Sequence, residues 1–257
     1  MTSHELSANL KNTAREKLVG RYGSSILIVV LASLIEVLGQ MIIVFPVAMV
    51  TSFISILTGT QEIGIGYYIT IDLLTTILSI FTNILNTGLA LFFLNIACGR
   101  QASCSDLWYG YRYLFKKSFA ISAIQVAIQT VITLPYTICD LMYVYDSTGT
   151  SNWRYYTVIT YVVCSIASLF VFLCFSQVYY LLLDFPGYSV KQLFTLSIRI
   201  MKGRKLKYLF MDLSFIPLEL LSILSYGIGM LWVTPYRLQT RALFFLDTMK
   251  ASDSSQA

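Results

Sequence analysis

The sequence predicts an all-α protein: a polytopic membrane helical bundle of six transmembrane helices, with interfacial amphipathic helices on its cytoplasmic face. Three observations carry that prediction. Hydrophobic residues fill 56% of the 257 positions and charged residues only 12%, and the mean hydropathy is +0.70. A soluble domain carries charge on roughly a quarter of its residues. The apolar residues fall in long runs, and runs beyond about 18 residues read as bilayer spans. The basic residues are confined to alternate loops, which is the asymmetry that orients membrane helices.

Residues 1–23 form a polar lead-in, not a cleaved signal peptide, because the apolar run that follows is too long for a signal sequence. Within it Leu6, Leu10, Ala14 and Leu18 share one helical face while Lys11, Arg15 and Lys17 lie elsewhere, a pattern suited to the membrane surface. The first span covers about 24–57, broken by Gly39 and Pro46. It exceeds the roughly 20 residues a crossing needs, so it must tilt, kink or project from the bilayer. A loop from Thr58 to Gly66 leads to the second span at about 67–98.

A polar, aromatic and basic stretch, Gly99 to Lys117, precedes the third span at about 118–145. A loop rich in Ser, Thr, Gly and Asn then leads to the fourth, at about 155–183. Between Asp184 and Lys207, Val190, Leu193, Phe194, Ser197 and Met201 recur at helical spacing and predict a second interfacial helix. The last apolar block, Tyr208 to Met249, is either one span with an apolar tail, making five in all, or two. Spans at about 208–226 and 228–248, around the turn Tyr226-Gly227-Ile228-Gly229, fit the hydrocarbon thickness. The organisation expected is a single membrane domain, 24–249, and a disordered tail, 250–257.

Arg and Lys set the orientation. Lys11, Arg15, Lys17 and Arg21 precede span 1, and Arg100, Arg112, Lys116 and Lys117 follow span 2. Lys191, Arg199, Lys202, Arg204, Lys205 and Lys207 follow span 4, whereas the opposite loops hold Arg154 alone. Both termini are expected in the cytoplasm. The net charge of +5 sits beside apolar runs, which suits anionic lipid headgroups and not nucleic acid. Lys202, Arg204, Lys205 and Lys207 are the candidate lipid contacts. A basic lead-in precedes an apolar pair three times, near Ser24, Ser118 and Tyr208, which raises the idea of a triplicated hairpin. The positive-inside rule would produce the same look without repetition.

Ionisable residues inside spans are costly unless paired or hydrated. Asp72, Asp140 and Asp247 sit near span ends, and Glu36 lies deep in span 1 with no partner assignable from sequence. If the last block folds back at Gly227, Asp212 comes level with Arg241 and Glu219 with Arg237. Each pair of like residues shares one helical face, because the acids are seven apart and the bases four. Two readings stand: the pairs hold the hairpin together, or they line a polar passage or a headgroup pocket.

Catalytic groups are sparse. The single histidine is His4, which leaves no HExxH and no Ser-His-Asp set, and no Walker or GxGxxG loop occurs. The five cysteines lack CxxC spacing and read as small buried hydrophobes. No enzyme activity, metal or cofactor is expected; an intramembrane enzyme would need an acid-lined, hydrated cavity. Pro46, Pro135, Pro217 and Pro235 are compatible with the broken helices of transporters. Asn83, Asn86, Thr87, Gly88 and Asn95 suit helix packing.

The C-terminal third holds an ordered series: Leu183-Asp184-Phe185-Pro186, Met201-Lys202-Gly203, Leu213-Ser214-Phe215-Ile216, Gly227-Ile228-Gly229, and Pro235-Tyr236. Upstream stand Gly99-Arg100-Gln101-Ala102 and Asp106-Leu107-Trp108-Tyr109-Gly110. Over most of its length the chain thereby resembles the bacterial integral-membrane family catalogued as domain of unknown function 975. It departs at Pro217-Leu218, where the family tends to have Gly-Trp, and the proline argues against a straight fifth span. The resemblance implies a multi-span protein in the cytoplasmic membrane of a Gram-positive bacterium, and it brings no reaction, substrate or cofactor. The expected role is a non-enzymatic helper, scaffold or envelope component contacting anionic lipid, with a membrane-protein partner as a further expectation. The competing role is a transporter, exporter or self-immunity protein for a small molecule, peptide or lipid.

Overall fold

A computed structural model describes residues 3–58, 65–145 and 152–253; residues 1–2, 59–64, 146–151 and 254–257 lie outside it. Among the described residues the fold is helical, without strands. In chain order the helices are α1 (Ser3–Leu18), α2 (Tyr22–Thr58), α3 (Ile65–Asn83) and α4 (Leu85–Ala97), then a 3-10 turn (Cys104–Trp108) and α5 (Tyr109–Arg112). They continue with α6 (Phe115–Tyr145), α7 (Trp153–Phe175), α8 (Val178–Asp184), α9 (Val190–Ile200), α10 (Lys205–Leu213), α11 (Ile216–Leu224) and α12 (Met230–Asp253).

Four segments are long and apolar enough to cross a membrane: Tyr22–Ile54, Gly66–Ala97, Phe115–Val144 and Trp153–Asp184. They correspond to the first four expected spans. The 37 residues of α2 extend about 55 Å, well beyond a hydrocarbon core of about 30 Å. Pro46 lies within this helix and Pro135 within α6, and neither ends its helix.

Four of the six expected spans are found, and the fifth and sixth are not confirmed. The last block folds back at Gly227 as expected of a hairpin, but its first arm is two helices of nine residues, α10 and α11. Pro217 explains the break: it lacks an N–H and its ring would clash with the carbonyl four residues back, at Leu213, where α10 ends. A proline is tolerated in the first turn of a helix, and Pro217 occupies that place in α11. The second arm, α12, carries Arg237, Arg241, Asp247 and Lys250. It also continues through residues 250–253, where a disordered tail is expected from sequence.

The chain divides into two compact units. One comprises Met1–Leu34, Ile84–Ala120 and Leu173–Ala257, and the other Ile35–Asn83 and Ile121–Phe172. In the second unit, apolar side chains such as Ile42, Phe45 and Val131 are largely exposed, as lipid-facing surface should be. Two of its helices, α6 and α7, are joined by a polar contact, Gln129 donating to Ser168 at 2.8 Å. A Cβ on Gly39 would touch Leu78 at 3.3 Å, the close packing that small residues allow in membrane helices.

The first unit has a conventional core. Phe92, Phe93, Leu181, Leu182, Phe244 and Phe245, from α4, α8 and α12, are buried. The α4 helix packs on both α8 and α12, and Tyr180 stacks on Phe245 with centroids 5.2 Å apart. The lead-in helices surround this core in a repeating order: the 3-10 turn and α5 on α4, α9 on α8, and α1 on α12. Six residues echo the order in sequence, Ala90-Leu91-Phe92-Phe93-Leu94-Asn95 against Ala242-Leu243-Phe244-Phe245-Leu246-Asp247.

Both predicted amphipathic helices form, and the protein itself takes up their apolar stripes. Ala14 and Leu18 of α1 are fully buried, as are Leu193, Ser197 and Met201 at α9. Ser189 and Gln192 form a reciprocal capping box at the start of α9. Any lipid contact by these helices therefore rests on their flanks, not on the apolar faces that predicted them.

Candidate functional site

The densest polar constellation lies where α10 and α11 meet α12. The turn between the arms needs two positive φ angles, 53° at Tyr226 and 84° at Gly227. Gly227 N–H donates to the carbonyl of Ser222 at 2.9 Å, and Gly229 N–H to the Ser225 hydroxyl at 3.0 Å. A Cβ on Gly229 would stand 2.6 Å from the Ser222 hydroxyl, so glycine is required for the arms to approach. This turn sets the register that brings the four charges level.

Within that register Asp212 is shared. Arg237 Nε donates to Asp212 Oδ1 at 2.9 Å while its Nη2 donates to Oδ2, a bidentate contact. Arg241 makes a second fork, Nε to Oδ1 and Nη2 to Oδ2, both at 3.0 Å. The remaining nitrogen of Arg237, Nη1, donates to Glu219 Oε1. The sequence argument set Asp212 against Arg241 and Glu219 against Arg237, and it missed the contact between Asp212 and Arg237. Two arginines four residues apart present both guanidinium forks on one face, and the short aspartate fits between them.

The cluster carries two negative and two positive charges and keeps little water: the Asp212 side chain is 13% exposed, Arg241 19%, Glu219 25% and Arg237 30%. Both carboxylates are already accepting arginine N–H bonds, so neither is a spare base. Further in, Tyr208 is buried, and Ser176 accepts from Gln177 at 3.0 Å. Among the described residues no three His, Cys, Asp or Glu side chains gather as a metal would require.

The basic cluster occupies the connection from α9 to α10. Lys202 is exposed, and Arg204, Lys205 and Lys207 are half-buried. Arg204 faces Asp247 at 3.7 Å, so part of its charge is already answered. Other cations tie neighbouring segments together: Arg21 donates to the carbonyl of Arg100 at 2.8 Å, and Lys117 to those of Pro186 and Tyr188.

Three contacts were not assigned from sequence, although Gly88 was expected to serve helix packing. Lys11 donates to the carbonyl of Ser214 at 3.0 Å and lies 4.2 Å from the Phe215 ring centroid, so it pins α1 to the break between α10 and α11. Burial lowers its pKa from the ordinary lysine value. Gly88 lets α4 press against the 3-10 turn so closely that a Cβ would stand 2.1 Å from the Leu107 carbonyl oxygen. Asp106 caps that turn with Ser103 and accepts from Asn95 at 3.3 Å. The pattern Ser103-x-x-Asp106 was the available signal for the cap, whereas nothing local marks Lys11.

One comparison with known proteins shows a family. The chain belongs to the family described as protein of unknown function (DUF975), whose family model matches residues 1–252. No curated protein matches it, and no solved structure does. The class defined here is a helical membrane protein of that family.

Proposed function

We propose that this chain is a non-enzymatic component of the bacterial cytoplasmic membrane, with both ends in the cytoplasm, that binds anionic lipid headgroups. One observation carries the reading. Every Lys and Arg except Arg154 falls in the first of the two units. Exposed Trp108, Tyr113 and Phe115 stand in sequence around exposed Arg112 and Lys116, and exposed Leu206 lies within the basic cluster. Aromatic rings beside cations suit the headgroup layer of a membrane. Asp212 and Glu219 are engaged with Arg237 and Arg241, which leaves neither acid available for a reaction or a transported ion.

The test is lipid retention. Protein purified in mild detergent is offered phosphatidylglycerol or phosphatidylcholine, and the bound lipid is counted by native mass spectrometry. A cation near a membrane surface contributes about 1 kcal/mol, and Arg204 contributes less because Asp247 opposes it. Replacing Lys202, Arg204, Lys205 and Lys207 by Gln should therefore weaken phosphatidylglycerol retention about tenfold or more. An unchanged preference for phosphatidylglycerol would overturn the proposal.

A further inference from the structure

We infer that α2 is the site at which two copies of this chain associate within the membrane, through Glu36 and Gln40. Glu36 lies fourteen residues into α2, about 21 Å along its axis. Its side chain is exposed, as is that of Gln40 one turn further on. Among the described residues neither side chain has a hydrogen-bond or ion-pair partner. Exposed apolar residues flank them along the helix, with Val37 and Leu38 between them and Met41, Ile42 and Phe45 beyond. A carboxylate and an amide are thus presented to the apolar belt, where an unpaired ionisable group is expensive.

The chemistry of the pair indicates the occupant. Glu36 supplies acceptors and Gln40 supplies an N–H₂ donor, so the face complements itself. Copies inserted in the same orientation bring their α2 helices together in parallel about a two-fold axis along the membrane normal. The offset of four residues is about 6 Å, which a glutamine side chain spans to reach the Glu36 carboxylate of the other copy. Two symmetry-related contacts result, each removing a polar group from lipid. A basic partner is a poorer match, because it would answer Glu36 and leave Gln40 unpaired.

The experiment counts subunits. Full-length protein carrying a fluorescent tag is reconstituted in phospholipid vesicles at increasing lipid-to-protein ratio, and photobleaching steps are recorded per particle. The wild type should bleach in two steps and fall to one on dilution. The double substitution Glu36→Leu with Gln40→Leu, which suits a lipid-facing helix and should not impair folding, should shift that midpoint about tenfold toward dissociation. Glu36→Gln keeps an acceptor and should retain the dimer. Single-step bleaching of the wild type at every density would overturn the inference, as would a two-step fraction unmoved by the double substitution. So would a photo-crosslinker at Val37 that captures, in native membranes, a different polypeptide and no second copy.

Discussion

Replacing Asp212 by Asn tests whether one carboxylate holds two arginines. The substitution preserves shape and removes the only charge that both guanidiniums share. Removing one partner of a buried ion pair costs about 3–5 kcal/mol. The partial exposure of Arg237 and Arg241, 30% and 19%, places the cost at the low end, about 3 kcal/mol. Glu219→Gln is the internal control. It leaves Arg237 bidentate on Asp212 and costs about 1 kcal/mol. For a chain of this size those values correspond to falls in Tm of about 6–12 °C and about 2–4 °C. Thermal unfolding in nanodiscs, followed by near-UV circular dichroism, reads both. An Asp212→Asn protein no less stable than Glu219→Gln would refute the shared arrangement.

Charge reversal at Arg241→Glu should lower the folded yield, and adding Asp212→Arg should restore it only in part, because the new arginine faces Arg237; full recovery, measured as monodisperse protein after solubilisation, would contradict the geometry. Gly88→Ala should destabilise the first unit by about 1–3 kcal/mol, since the methyl group would enter the Leu107 carbonyl and the helix must move off the turn; an unchanged melting curve would refute the contact. Lys11→Met should cost about 1–2 kcal/mol and raise amide hydrogen exchange in α1 selectively, through loss of the Phe215 and Ser214 contacts. Ser189→Ala should remove the cap of α9 at a cost of about 1 kcal/mol, read as faster exchange in its first turn.

The amino-acid sequence by itself determined the class of this protein and the places where helices run. Long apolar runs have one physical solution in lipid, a helix that satisfies its own backbone, so the four crossing segments could be read from hydropathy within a few residues. It also determined that Asp212, Glu219, Arg237 and Arg241 meet. A tight turn at Gly227 fixes the register of both arms, and charges at matching depth then have few other partners. These features depend on local pattern or on short-range geometry.

The tertiary structure decided what depends on neighbours distant in sequence. The stripes of α1 and α9 have the periodicity of a membrane-surface helix, yet a stripe cannot state what covers it, and here it is the core around Phe92, Leu181 and Phe244. Pro217 already argues against a straight fifth span, but that the arm divides into the two nine-residue helices α10 and α11 is seen only in the structure. The sharing of Asp212 by two arginines also had to await coordinates, because the reach of a guanidinium exceeds the spacing that pairs residues by depth alone. Periodicity records which face is apolar; only packing determines which surface that face meets.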